Sequence, residues 1–306
     1  MANALVKCHL ICHVALVVAA TSTTPPVETL YFRPLRNGTI DSFRRLCDTH
    51  LSDDDRRAFW LATGNDVVRG IENVTTGFGD DSIIGDGGIN ILDGGAGDDD
   101  IDGAAGNDVV KGGSGNDTIA GGAGDDVLDG GADDDILSGD AGSDTIDGGD
   151  GTDIAKFAGK QADYTFASSS DGKTITVTHV ATSDADTVTN VETLSFDDGD
   201  IGVSLDTNGL VLTGSGEVDN IKIVGSVAVT VLGQDKADTL VGSTGKDIIE
   251  GGAGDDTLDG GAGDDLLTGD AGNDTIDGGD GTDVAVFAGE LEDYTFASSA
   301  NGLTVT

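Results

Sequence analysis

The sequence predicts an all-β repeat fold in which a turn and a short strand alternate every nine residues. Three observations carry this. Glycine recurs at Gly85, Gly94, Gly103, Gly112, Gly121, Gly130, Gly139 and Gly148. An Asp or Asn stands five residues after each of them, and an aliphatic residue or Ala two residues further on. The same phase then returns at Gly233, Gly242, Gly251, Gly260, Gly269 and Gly278.

Residues 1–61 stand outside the pattern. They hold seven Lys/Arg and six Asp/Glu, against eight and 51 in residues 62–306, so the net charge of -42 lies almost wholly beyond the head. That carboxylate density repels nucleic-acid phosphates and anionic headgroups and attracts small hard cations, which excludes nucleic acid as a partner. Cys8, Cys12 and Cys47 all fall in the head, so no disulfide framework holds the acidic body together. Leu10 to Ala20 is an apolar run short for a membrane span; it reads as a signal-peptide core ending at Val18-Ala19-Ala20, or as a buried strand. Cys8, His9, Cys12 and His13 have metal-ligand spacing but lack polar support, so zinc is not expected there. Residues 31–61 read as one strand and two short helices, making the head a poorly defined α/β segment. Helical spacing at Phe43, Leu46 and Cys47 and a capping-box pattern at Ser52 and Asp55 carry the helices. Through Arg33-Pro34-Leu35-Arg36 and Leu51-Ser52 this stretch resembles the opening of GNAT-family acetyltransferases. That family's Gly-rich acetyl-CoA loop does not follow, so acetyl transfer is not carried over.

The first array keeps its phase through Asp81, Asn90, Asp99, Asp108, Asp117, Asp126, Asp135, Asp144 and Asp153. Its apolar positions run Ile83, Leu92, Ile101, Val110, Ile119, Leu128, Leu137, Ile146 and Ala155. A complete unit is Gly121-Gly122-Ala123-Gly124-Asp125-Asp126-Val127-Leu128-Asp129. Glycines at its first, second and fourth places permit positive φ and sharp turning, which exposes carbonyl oxygens. Its last three residues alternate outward, inward, outward, as a strand does. An acidic, Gly-rich disordered linker has the same composition but no reason to keep phase.

These units match G-G-x-G-x-D-x-U-x, and the chain resembles the RTX, or hemolysin-type, calcium-binding repeat family. The resemblance implies two right-handed parallel β-rolls, with two repeats per coil and stacked turns 18 residues apart. It implies several Ca2+ ions per roll, each held between stacked turns by Asp carboxylates and backbone carbonyls, which meets the ion's need for six to eight hard oxygens. The carboxylate ligands expected are Asp81, Asp99, Asp108, Asp117, Asp126, Asp135, Asp144 and Asp153 in the first array. In the second they are Asp238, Asp247, Asp256, Asp265, Asp274 and Asp283. The expected carbonyls are those of Gly94, Ala96, Gly112, Ser114, Gly121, Ala123, Gly130, Gly251, Ala253, Gly260 and Ala262. The pattern has departures: Asn90 replaces an Asp, Asp133 stands at a turn-glycine place, and Asp140 and Asp270 replace second glycines; sites touching Asn90 or Asp133 are expected to be weaker or empty. One buried aliphatic residue per nine is little against the entropy of ordering nine backbones, and stacked Asp columns repel by roughly 0.8 kcal/mol per pair at 5 Å in water. The metal-free repeats are therefore expected to be disordered and to fold on binding calcium. The family further implies a secreted, extracellular protein leaving the cell through a type I secretion exporter.

The domains expected are the head at 1–61, the first calcium-binding β-roll at 62–157, a β-rich cap and connector at 158–232, the second β-roll at 233–287 and a truncated second cap at 288–306. Phe157, Tyr164, Phe166 and Phe196 are expected to cover the end of the first roll, since solenoid ends need capping, rather than to line a ligand groove. Residues 251–306 repeat 121–176, with no counterpart of Val177 to Gly199, so the sequence reads as truncated or as a fragment.

No catalytic motif stands in the chain. Its four His (His9, His13, His50, His179) form no H-E-x-x-H helix, no G-x-S-x-G elbow occurs, and no apolar run after the head reaches membrane-span length. Three readings share this chemistry: a secreted calcium-binding protein, the noncatalytic tail of an exported enzyme or toxin (metalloprotease, lipase, alginate epimerase or hemolysin), and an adhesin segment binding cell-surface or matrix glycans.

Overall fold

The computed structural model describes residues 15–17, 30–33, 59–61, 64–70, 72–205, 209–293, 295–299 and 302–305. The two head helices, the Cys8–His13 cluster and the small-residue stretch at 18–20 lie outside them. The chain forms two compact units, Met1–Ser204 and Leu205–Thr306. It is all-β: among the described residues the helical content is two single 3-10 turns, Gln161–Asp163 and Leu291–Asp293.

In the first unit the nine-residue period becomes two parallel sheets. Asn73–Thr75, Ile91–Ala96, Val109–Ser114, Val127–Ala132 and Thr145–Asp150 make one, and the head strand Phe59–Leu61 pairs onto Asn73–Thr75. Val67–Arg69, Ser82–Ile84, Asp100–Asp102, Thr118–Ala123, Ile136–Ala141 and Ile154–Lys156 make the other. Consecutive nonapeptides thus alternate between sheets, and two complete a coil. Because side chains alternate along a strand, the eighth residue of every unit points inward. Ile83, Leu92, Ile101, Val110, Ile119, Leu128, Leu137, Ile146 and Ala155 are all 0–1% exposed and form the core. The ninth residue of each unit points outward. On one sheet that row includes Asp93, Lys111, Asp129 and Asp147, in register, and Lys111 Nζ lies 3.0 Å from Asp129 Oδ2.

The turns need left-handed backbone at the second and fourth places. Gly124 has φ +135°, and a Cβ there would run into the carbonyl of Gly106 one coil below. Where the sequence departs from glycine the conformation persists: Ala104, Asp133, Asp140 and Asp270 have φ of 74°, 78°, 67° and 61°.

The first roll ends on a β-rich cap that turns parallel pairing into antiparallel pairing. Ala185–Thr189 stacks parallel on Thr145–Asp150 and then continues antiparallel through Thr174–His179 and Tyr164–Ser168. Thr193–Phe196 stacks on Ile154–Lys156 and pairs antiparallel with Gly199–Leu205. The expected aromatic cover is present. Phe157 stacks on Phe196 at 5.3 Å, Tyr164 and Phe166 close around Phe196 at 5.2 and 5.9 Å, and the Tyr164 hydroxyl donates to the Ala158 carbonyl at 2.6 Å.

The second unit repeats the plan. Leu210–Thr213, Val229–Asp235, Ile248–Ala253, Leu266–Ala271 and Val284–Val286 form one parallel sheet. Asn220–Lys222, Thr239–Val241, Thr257–Asp259 and Thr275–Asp277 form the other. Its parallel ladder begins at Leu210, ahead of the point where the period becomes readable at Gly233.

Candidate metal centres

Each sixth-place Asp points its carboxylate into the gap between its own turn and the turn stacked beside it. Asp99 N donates to Asp117 Oδ1 at 2.8 Å, 18 residues away, and Asp117 N to Asp135 Oδ1 at 2.8 Å. One edge of the first unit runs this way from Asp66 through Asp81, Asp99, Asp117, Asp135 and Asp153. The other runs from Asn90 through Asp108 and Asp126 to Asp144. In the second unit Asp238 leads through Asp256 to Asp274, and Asp247 through Asp265 to Asp283. A second ladder on the exposed fifth places runs the opposite way, as from Asn116 N to Asp98 Oδ1 at 2.9 Å and from Thr152 N to Asp134 Oδ1 at 2.9 Å. Every turn is thereby tied to neighbours on both sides.

Most inner carboxylates use one oxygen in this ladder and leave the other out of it. Oδ2 of Asp66, Asp81, Asp99, Asp108, Asp117, Asp126, Asp135, Asp144, Asp153, Asp238, Asp256 and Asp265 is buried with no hydrogen-bond partner. A buried acceptor left unpaired costs roughly 1–3 kcal/mol, and more when it is charged. The glycine at the first place shows what these oxygens face. A Cβ built on Gly130 would lie 2.5 Å from Asp135 Oδ2 and 2.5 Å from the carbonyl oxygen of Gly148. On Gly103 it would lie 2.7 Å from Asp108 Oδ2 and 2.5 Å from Gly121 O, and on Gly260 2.6 Å from both Asp265 Oδ2 and Gly278 O. The absent side chain leaves a cradle where a carboxylate oxygen and a carbonyl oxygen of the adjacent turn converge. Among the described residues no three His, Cys, Asp or Glu side chains cluster by themselves, so an ion here would draw on backbone oxygens as well. A set made only of carboxylate and carbonyl oxygens suits a hard divalent cation and calcium above all.

Burial acts on these carboxylates as it must on charges without counter-ions. Desolvation pushes Asp117 and Asp238 up to about 7, and Asp99, Asp126, Asp135 and Asp144 up to about 6. Hydrogen bonds from the stacked backbone oppose the rise, and neighbouring aspartates add to it.

The structure brings together every stacked Asp pair expected from the sequence. The expected carbonyls do not all behave alike, and that of Gly94 accepts a hydrogen bond from the Thr76 hydroxyl. Those of Gly112, Gly121, Gly130, Gly251 and Gly260 face the cradles. Those of Ala96, Ser114 and Ala123 each accept a bond from the fourth-place N–H of the turn below, at 2.7–2.8 Å, leaving one lone pair. At Asn90 the amide nitrogen fills the cradle, donating to Gly88 O at 2.6 Å and Asp108 Oδ1 at 3.1 Å. Asp247 differs as well, because Ser243 N and Oγ reach its Oδ2 at 2.6 and 3.0 Å.

Four further residues belong to these ladders and were not read from the sequence. Asp66 opens one edge, its N–H donating to Asp81 Oδ1 at 2.6 Å across 15 residues. Asp219 is fully buried and precedes Asp238 at a spacing of 19. Asp186 and Glu192, both in the cap, accept from Asp144 N and Asp153 N at 2.8 Å across 42 and 39 residues. None keeps the nine-residue phase. The local pattern Gly214, Asp219, Ile221 was the one available signal, since it repeats the first, sixth and eighth places of a unit.

The family model for the RTX calcium-binding nonapeptide repeat (4 copies) matches at 75–110, 102–137, 111–146, 130–155, 232–267 and 250–285. Comparison with curated proteins gives no match. Among solved structures, the crystal structure of extracellular lipase LipA from Serratia marcescens is similar, at 20% identity and a TM-score of 0.22. That similarity covers 73% of this chain and 35% of the lipase, so the chain spans well under two thirds of that protein's length.

Proposed function

Because this chain carries two arrays of RTX calcium-binding nonapeptide repeats, we propose that it is a secreted protein whose two rolls fold when calcium fills the cradles between stacked turns. The observation that carries the reading is the column of buried, unpartnered Oδ2 atoms from Asp99 to Asp153 and at Asp238, Asp256 and Asp265, each set against a first-place glycine and most of them beside a carbonyl of the next turn. Without a cation these oxygens are desolvated and mutually repelling. With one they become ligands, and the free energy of binding becomes free energy of folding. The ions would be held by the aspartates from Asp81 to Asp153 and from Asp238 to Asp283, with the first-place carbonyls beside them.

Coupled folding supports an export logic. A chain kept unfolded by low cytosolic calcium can pass a type I exporter and fold outside, where calcium is abundant. Among the described residues no helix is long and apolar enough to cross a membrane. The part this chain plays is that of a calcium-dependent scaffold, and the family matched is the repeat rather than a catalytic domain.

The test is far-ultraviolet circular dichroism of the full chain, chelated and then titrated with calcium, with magnesium as control. A cooperative gain of β signal with calcium and none with magnesium is expected. Full β signal in chelator would overturn the coupling of folding to metal. Equal extracellular yield from cells with and without a type I exporter would overturn the export route.

A further inference from the structure

The β-rich cap covers the end of the first roll with aromatic side chains, yet it also carries oxygen ligands at the places where the next coil would have them. Along the inner ladder each sixth-place Asp N–H donates to a carboxylate 18 residues on, as Asp135 N does to Asp153 Oδ1 at 2.9 Å. The array stops there in sequence, but the ladder goes on: Asp153 N donates to Glu192 Oε2 at 2.8 Å. The carbonyl is replaced in the same way. A Cβ on Gly130 would lie against Asp135 Oδ2 and Gly148 O. A Cβ on Gly148 would lie 2.7 Å from Asp153 Oδ2 and directly against the carbonyl oxygen of Asn190.

Asn190 reaches this place through a left-handed backbone, φ 48°, and its side chain is pinned to Asp147 Oδ1 at 2.7 Å. The strand Thr193–Phe196 then follows in register on Ile154–Lys156. Three residues, Asn190-Val191-Glu192, thus stand in for the longer turn of a repeat. Asp153 itself is 0% exposed, and its Oδ2 has no hydrogen-bond partner, so a buried carboxylate oxygen is aimed into the gap between the last repeat turn and the cap. Nothing in the aromatic packing of Phe157, Tyr164 and Phe196 requires a carboxylate at 192.

We propose that the cap completes a terminal calcium site, with Asp153, the Asn190 carbonyl and Glu192 as its ligands. This rests on the reading of the repeats as calcium sites and extends it past the last nonapeptide. The cap then acts as the final coil of the roll, and calcium joins it to the array. Ion binding and closure of the aromatic cluster become one event.

The experiment is equilibrium calcium binding to the full chain, counted at saturating free calcium for wild type, Glu192→Gln and, as an interior control, Asp117→Asn. Near-ultraviolet circular dichroism of the Phe157, Tyr164, Phe166 and Phe196 cluster is recorded alongside. Glu192→Gln is expected to bind one ion fewer than wild type, and calcium is expected to be needed for the aromatic signal in wild type. An unchanged ion count in Glu192→Gln, with wild type binding several ions, overturns the terminal site and leaves the repeat sites standing. A wild type that binds no calcium overturns the reading of the repeats themselves. Should Glu192→Gln lose the aromatic signal as well, Glu192→Asp decides, since Asp fills this place along the array. Recovery of both the signal and the ion supports the site, and failure to recover the ion overturns it.

Discussion

At the scale of single residues, the two oxygens of one carboxylate do different work. Oδ1 accepts a backbone N–H and fixes the stacking; Oδ2 is left for the cation. Asn90 shows the consequence of changing one atom, because its amide nitrogen occupies the cradle and bonds Gly88 O and Asp108 Oδ1. Asn90→Asp is therefore expected to add one bound calcium per chain, measured by equilibrium dialysis; an unchanged count would mean that the Gly103 and Asp108 turn supplies too few oxygens. The sign of the pH response follows from burial. Asp99 and Asp117 sit at about 6 and about 7 when folded, against 3.8 for an exposed carboxyl. Between those values the folded chain holds protons that the unfolded chain has released. The stabilisation is complete below about pH 4 and is lost as pH rises through 6 to 7. In chelator, lowering the pH from 7.5 to 5 is expected to increase β signal, because protons relieve the same repulsion that calcium relieves. In calcium the apparent affinity is expected to fall over that range, because the ion must displace those protons. A chelated chain whose spectrum does not change with pH would contradict both.

At the scale of the repeat, the glycines have separable duties that substitution can distinguish. Gly124 is needed both for its left-handed φ of +135° and for its close approach to the Gly106 backbone, so Gly124→Ala is expected to cost at least about 1–3 kcal/mol in a denaturant melt of the calcium-loaded chain. Gly130 has no positive φ and is needed for the space it leaves. Gly130→Ala puts a methyl group against Asp135 Oδ2 and Gly148 O, and is expected to delete an ion from that edge. Unaltered calcium stoichiometry in that variant would place the ion elsewhere. The repeat scale is also where most of the architecture was legible. Three residue types held at one phase name the turn, the inward side chain and the stacked pairs, because a solenoid copies local sequence directly into neighbouring positions. What escaped was local in another sense. Asp186 and Glu192 sit in ladder register only after the antiparallel strands Tyr164–Ser168 and Thr174–His179 have looped out, which breaks the phase by distances no period can show. Asp219 was hidden by a single extra residue in its coil. Ser243, at the second place of its unit, gives no sign in the repeat pattern that it supplies the two hydrogen bonds to Asp247 Oδ2.

At the scale of the whole molecule, a net charge of -42 that is only weakly paired makes the metal-free chain self-repelling. Small-angle scattering in chelator is expected to give a radius of gyration approaching the ~60 Å of an unfolded chain of this length, falling when calcium is added. An unchanged radius would show that packing alone holds the rolls. Repetition brings a hazard of its own. Coils that are near copies can pair with the wrong partner, and skipping one coil would still bury aliphatic side chains and still stack aspartates. The outward row Asp93, Lys111, Asp129 distinguishes the two outcomes. In the correct order the ammonium lies between two carboxylates, 3.0 Å from Asp129 Oδ2. Asp129 already adjoins Asp147; with that coil looped out, Asp93, Asp129 and Asp147 would stand as three successive carboxylates, and the cation between the first two would be lost. Lys111 thus works as an address label in an otherwise degenerate stack: it adds little to the strength of the roll and identifies which coil must come next.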